Sequence, residues 1–96
     1  MKSALENEEI IQKAEILKAL AHPIRLCIVK GLIEKGDCNV GYMQECLGVP
    51  QTSVSQHLAK LRSLGIVASE RQGLEVIYRI KNETVARVIK ALFADE

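Results

Sequence analysis

Residues 44–62 read Gln-Glu-Cys-Leu-Gly-Val-Pro-Gln-Thr-Ser-Val-Ser-Gln-His-Leu-Ala-Lys-Leu-Arg, and this stretch decides the fold. It encodes two helices joined by a very short turn. Leu47 closes the first helix, and Gly48 is the residue type that adopts the left-handed conformation ending a helix. Val49 and Pro50 lead into the second helix, where proline's fixed φ suits an entry position and its missing N–H costs nothing. Val54, Leu58 and Leu61 then recur at i, i+4 and i+7, one apolar stripe. The other face carries Gln51, Thr52, Ser53, Ser55, Gln56, His57 and Lys60, followed by Arg62, with no acidic residue among them. An ordinary solvated helix mixes both signs. An acid-free face suits a helix laid against DNA, where a carboxylate meets phosphate repulsion while amides and hydroxyls bond base edges or phosphates. The competing reading of this stretch alone is a polar surface helix in a small all-α domain.

Upstream, Met1 to about Glu6 reads as a frayed end. Asn7 is a plausible N-cap, with Glu8 and Glu9 in the first turn where they favour the helix dipole. Ile10, Ala14, Leu17 and Ala21 form an apolar stripe with Ile16 and Leu20 beside it, so one amphipathic helix ends near Leu20. His22-Pro23 restarts the chain, with Pro23 as the first residue of a second helix. Ile24, Leu26, Cys27, Ile28, Val29, Leu32 and Ile33 make that helix apolar nearly all round, the mark of a central core helix. Lys35 suits its C-terminal dipole and Gly36 stops it. Asp37 and Cys38 read as a short connection, and Asn39 caps a third helix whose inner face holds Val40, Met43 and Leu47.

Downstream of Leu64-Gly65 the period changes to two. Val67, Ser69 and Arg71 alternate with Ala68 and Glu70; Leu74, Val76, Tyr78 and Ile80 alternate with Glu75, Ile77 and Arg79. Gln72-Gly73 is the expected hairpin turn. Two strands alone are unstable, so the hairpin must pack on the helices. Its tip, with Arg71 and Gln72, would reach a phosphate or the minor groove. Asn82 caps a last helix striped by Val85, Val88, Ile89, Leu92 and Phe93. The predicted fold is mainly α with a small β-hairpin, in the order α-α-α-α-β-β-α.

With 96 residues, one domain over 1–96 is expected. Aromatic residues are only 3% of the chain, so the core must be aliphatic. A net charge of +1 does not by itself imply nucleic acid, but its distribution does more. Beyond Pro50 the bases Lys60, Arg62, Arg71, Arg79 and Lys81 face only Glu70 and Glu75 up to Lys81, while acids gather at both termini. That is a local electrostatic footprint for DNA. The first-helix stripe (Ile10, Ala14, Leu17) and the last-helix stripe (Val85, Val88, Ile89, Leu92) exceed what so small a core needs. They are expected to meet their copies in a homodimer. No signal peptide pattern and no membrane-length apolar run appears, which points to a cytoplasmic protein without membrane association. No Gly-rich phosphate loop, carboxylate set or Ser-His-acid spacing points to an enzyme.

Three segments give a resemblance to a known family. They are Ala19-Leu20-Ala21-His22-Pro23-Ile24-Arg25-Leu26, then Leu47 through Leu61, and then Gly65-Ile66-Val67 with Arg71-Gln72-Gly73 and Tyr78-Arg79-Ile80. Together, in this order, they resemble the ArsR (ArsR/SmtB) family of winged helix-turn-helix transcriptional repressors over almost the whole chain. The resemblance implies a homodimeric repressor that binds an operator in double-stranded DNA and leaves it when an inducer binds. Pro50 departs from the pattern, since relatives usually have a serine or threonine cap there.

The resemblance does not supply the inducer. Metal-sensing members often carry a Cys-x-Cys pair at the start of the third helix, where this chain has Cys38-Asn39-Val40. Others use carboxylate and His ligands on the last helix, which here has neither histidine nor cysteine after Asn82. Thiol-sensing members use a second-helix cysteine level with Lys30 and a partner on the last helix. Cys27 lies one turn earlier, and that partner is missing. No metal site and no cofactor is therefore expected, and zinc is not expected to release the protein from DNA. Cys27 is expected as a small buried hydrophobe and Cys46 as partly buried. Cys38, ahead of a helix N-terminus that would stabilise a thiolate, is the candidate redox thiol. His57 either touches DNA or holds a neighbouring helix. The rival reading of the whole chain is a winged-helix protein-interaction module that does not bind DNA.

Overall fold

The computed structural model describes residues 3–95; Met1, Lys2 and Glu96 lie outside it, and with them part of the segment expected to fray. From Ser3 onward that segment is ordered as a 3-10 turn, Ala4–Glu6. The helices are α1 (Glu8–Leu20), α2 (Pro23–Lys35), α3 (Val40–Leu47), α4 (Gln51–Ser63) and α5 (Glu83–Leu92). Three strands, β1 (Cys38–Asn39), β2 (Val67–Gln72) and β3 (Glu75–Ile80), form an antiparallel sheet in the order β1-β3-β2.

The helix starts follow from their caps. Asn7 Oδ1 accepts from the amides of Glu9 and Ile10 at 2.8 and 3.3 Å. Asn39 Oδ1 accepts from Tyr42 N at 2.8 Å, and Asn82 Oδ1 from Val85 N at 3.0 Å. Each such cap contributes about 1 kcal/mol by satisfying an amide that has no partner within its helix. Gly48 ends α3 in the left-handed region at φ 68°, which turns the chain into α4 within three residues.

β1 corrects the expectation of a bare connection. Cys38 pairs with Tyr78 and Asn39 with Ile77, so the residues before α3 take the free edge of β3. Two residues cannot display a period of two, and the pairing comes from the tertiary fold. The hairpin turn is also one residue later than expected. Gln72 pairs with Glu75, so the loop is Gly73-Leu74, with Gly73 at φ 65° in the first position.

The core is aliphatic, as the composition requires. Val29 of α2, Val54, Leu58 and Leu61 of α4, and Ile66 and Val67 at the entry to the hairpin are its largest fully buried side chains. α2 is central: it packs against α1, α3, α4, α5 and β3. Its apolar circumference is not closed, however, because Cys27 is exposed. Cys46 is exposed as well, where partial burial was expected.

The α5 stripe divides between two environments. Val85 and Ile89 are 4% and 3% exposed and belong to the protomer's own core, whereas Val88 and Leu92 are 44% and 65% exposed. An apolar face wider than about 100° of helix spans both a core edge and a solvent edge. Periodicity alone places all four residues on one surface. On α1, Ile10, Ile11, Ala14 and Leu17 are exposed.

Candidate nucleic-acid interface

α4 presents the predicted face. Gln51, Thr52, Ser55, Gln56, Lys60 and Arg62 are exposed, and Ser53 and His57 are half-buried. The apolar stripe of Val54, Leu58 and Leu61 is wholly inside, so packing fixes which way the polar face points. α1, α2, α3 and α5 each begin with a side chain bonded to a first-turn amide, while α4 begins at Pro50 with no such bond. Ser53 N donates to the Pro50 carbonyl at 3.0 Å, and no side chain occupies the positive end of the helix dipole at Gln51 and Thr52, a favourable place for a phosphate.

At the wing, Arg71 and Gln72 are exposed beside the Gly73-Leu74 loop, as expected. Arg79 is not free: its guanidinium pairs with Glu70 at 2.9 Å across the two strands. Both partners are largely solvent-exposed, so this surface pair contributes little to stability. It does leave Arg71 as an outward cation of the wing. Asn39 Nδ2 donates to Glu75 Oε1 at 3.0 Å, which ties the wing to the start of α3.

His57 is held from behind. Arg25 Nη1 lies 3.1 Å from His57 Nδ1, and Arg25 Nε donates to the Ala19 carbonyl at 2.8 Å. The His22 ring stands 4.5 Å away, centroid to centroid, tilted by 45°. His22 Nδ1 in turn accepts from the Ile24 amide at 3.1 Å and caps α2. A guanidinium only donates, so Nδ1 of His57 is an acceptor and the ring carries its proton on Nε2. Burial first, then His22 and Arg25, lower the His57 pKa from its ordinary 6.5, which keeps the ring neutral. His57 therefore holds the neighbouring helix, the second of its two expected roles, and its Nε2–H remains as a fixed donor. No sequence signal pairs residues 32 apart; Arg25 could be found only through the quoted segment around His22-Pro23.

Cys38 departs from expectation in its chemistry. The thiol is half-buried, and burial first, then the neighbouring Cys46 and Asp37, raise its pKa above the ordinary value of 9.0. Desolvation outweighs the opposing pull of the Lys35 ammonium, so Cys38 is held as a thiol. Among the described residues no group of three His, Cys, Asp or Glu side chains is placed to hold a metal ion. No described helix is long and apolar enough to cross a membrane.

A helix-turn-helix whose second helix shows an acid-free polar face, followed by a two-stranded wing with a basic tip, defines a winged-helix DNA-binding protein. Comparison with known proteins gives the particular family. Residues 22–69 match the family described as bacterial regulatory protein, arsR family. The transcriptional repressor PagR of Bacillus anthracis is 42% identical over 88 residues, which cover 92% of this chain and 88% of that protein. Its crystal structure superposes with a TM-score of 0.80, covering 88% of this chain and 97% of that one. The transcriptional repressor SmtB of Mycobacterium tuberculosis is 44% identical across 84% of this chain, which spans 60% of that protein's length. The homodimeric winged helix-turn-helix DNA-binding domain of a possible ArsR-family regulator from Mycobacterium bovis is 33% identical. It superposes with a TM-score of 0.83 over 95% of this chain and 83% of that one. The chain belongs to the arsR family of bacterial transcriptional regulators, as the three quoted segments had implied. That membership supports the DNA-binding reading and not the protein-interaction module.

Proposed function

We propose that the protein is a cytoplasmic homodimeric repressor that binds an inverted-repeat operator through α4 and the wing. The observation that carries this reading is the exposed, uncapped and acid-free face of α4, fixed outward by the buried Val54, Leu58 and Leu61. Gln51, Thr52, Ser53, Ser55, Gln56 and the Nε2–H of His57 face the major groove. Lys60 and Arg62 lie toward the backbone, and Arg71 and Gln72 at the wing reach a phosphate or the minor groove. The dimer forms through the exposed apolar residues of α1 and α5: Ile10, Ala14, Leu17, Val88 and Leu92. The two α4 helices then address half-sites roughly 34 Å apart, one turn of B-DNA.

The test is operator affinity of the Ser53→Ala/Gln56→Ala double variant, measured by fluorescence anisotropy at fixed salt. The expected loss is about 1–3 kcal/mol per base contact, with relaxed specificity. Wild-type affinity in the double variant would end this assignment of α4.

A further inference from the structure

An apolar pocket of about 100 Å³ opens between α2 and α3, and all three cysteines of the chain line it: Cys27 from α2, Cys38 from β1 and Cys46 from α3. Met43 contributes to its apolar wall, and Lys35 and Tyr42 supply the polar groups. The Lys35 ammonium stands 5.6 Å from the centre of the Tyr42 ring. Three soft nucleophiles thus face an apolar space beside one cation. They are not arranged to hold a metal ion. An apolar molecule carrying an electrophilic carbon and a carbonyl oxygen matches both parts of this lining.

We infer that the pocket admits small α,β-unsaturated carbonyl compounds and that Cys46 is the thiol they alkylate, with Lys35 at the carbonyl oxygen. Cys46 is exposed and lies one helical turn from Tyr42 on α3, and the Lys35 ammonium stands over that Tyr42 ring, so this thiol shares the cationic end of the pocket. Cys38, half-buried, is kept protonated and is the poorer nucleophile. In the reaction the Cys46 sulfur, as thiolate, forms a bond to the β-carbon. The C=C π pair moves to the carbonyl oxygen as an enolate, which Lys35 stabilises, and the α-carbon then takes a proton. The net change adds the thiol's S–H across the double bond and needs no oxidant or reductant. The site differs in place and chemistry from a redox pair between α2 and α5.

The pocket also bears on the DNA interface. α3 runs into α4 through Gly48, Val49 and Pro50, so an adduct wedged against α2 displaces the recognition helix. This second step rests on the proposed DNA-binding role of α4; the alkylation itself does not.

The experiment uses methyl vinyl ketone on the reduced full-length protein, followed by intact mass and peptide mapping. Wild type is expected to take one adduct, on Cys46, faster than free N-acetylcysteine takes it at the same pH. Cys27→Ser and Cys38→Ser should keep that rate, Cys46→Ser should lose it, and Lys35→Ala should slow it. Alkylation at equal rates on Cys27 and Cys46, or no faster than on N-acetylcysteine, would overturn the site. Operator affinity of the adduct is then measured, with a loss on the order of tenfold expected. An adduct that forms on Cys46 while unmodified protein fails to bind any operator would leave the pocket standing and count against the DNA-binding role alone.

Discussion

Replacing Arg25 with alanine removes two hydrogen bonds at once, to the Ala19 carbonyl at 2.8 Å and to His57 Nδ1 at 3.1 Å. Ala19 lies in the last turn of α1, where the carbonyls have no intrahelical partner, and the residue is buried. Hydrogen bonds to a charged group contribute about 1.5–3 kcal/mol each, and part of that is screened because Arg25 is only half-buried. A combined loss of about 2 kcal/mol is expected, or about 8–16 °C in Tm for a domain of this size. Calorimetry at one fixed protomer concentration measures it, since dimerisation makes Tm concentration-dependent. A second readout separates this role from bulk packing. Arg25 is the third cause of the lowered His57 pKa, after burial and His22, so Arg25→Ala should raise that pKa toward its ordinary value. An NMR titration of the His57 ring follows it. Arg25→Lys should preserve the charge effect but not the two-point hold, and so recover the pKa without the stability. For His57 the unfolded ring takes up its proton at higher pH than the folded one. Its contribution is therefore full above 6.5 and is lost as pH falls from 6.5 through the folded value. A Tm within about 2 °C of wild type, with His57 titrating unchanged, would refute the reasoning.

Three further outcomes follow from the fold. Val88→Glu should dissociate the dimer in sedimentation while leaving the far-UV spectrum intact, whereas Ile89→Glu should unfold the protomer, because only the second side chain is buried; dissociation without unfolding in both variants would contradict the division of the α5 stripe. Arg71→Ala should weaken binding to all DNA sequences and reduce the salt slope by about 1, read from affinities across a salt series; an unchanged slope would remove Arg71 from the phosphate contacts. Gly48→Ala should cost about 1–2 kcal/mol in a urea titration, since the added Cβ meets nothing within 4 Å and only the left-handed backbone at φ 68° resists it; a larger loss would mean a steric clash.

The helices were legible because their signals are local. Asn7, Asn39 and Asn82 lie where their caps form, Gly36 and Gly48 where helices stop, and Val54, Leu58 and Leu61 point inward as their spacing required. What stayed hidden depends on partners far along the chain. β1 exists only because β3 has a free edge there. Cys27 sits in an apolar run that gives no sign of which side stays open. Val85 and Ile89 cannot be told from Val88 and Leu92 by periodicity, since all four share one face and only packing decides. The polar face of α4 was readable residue by residue; the guanidinium that fixes His57 in one tautomer was not.

The short strand that binds Cys38 and Asn39 to Tyr78 and Ile77, with Asn39 also bonded to Glu75, makes the wing and the helix-turn-helix parts of one mechanical unit. The wing is therefore not an exchangeable accessory. A hairpin taken from a relative would arrive without the segment that braces it, so a working graft must carry the residues at 38 and 39 along with 67–80. Chimeras that move only the hairpin would lose the fixed distance between α4 and the wing tip on which the proposed operator contact depends.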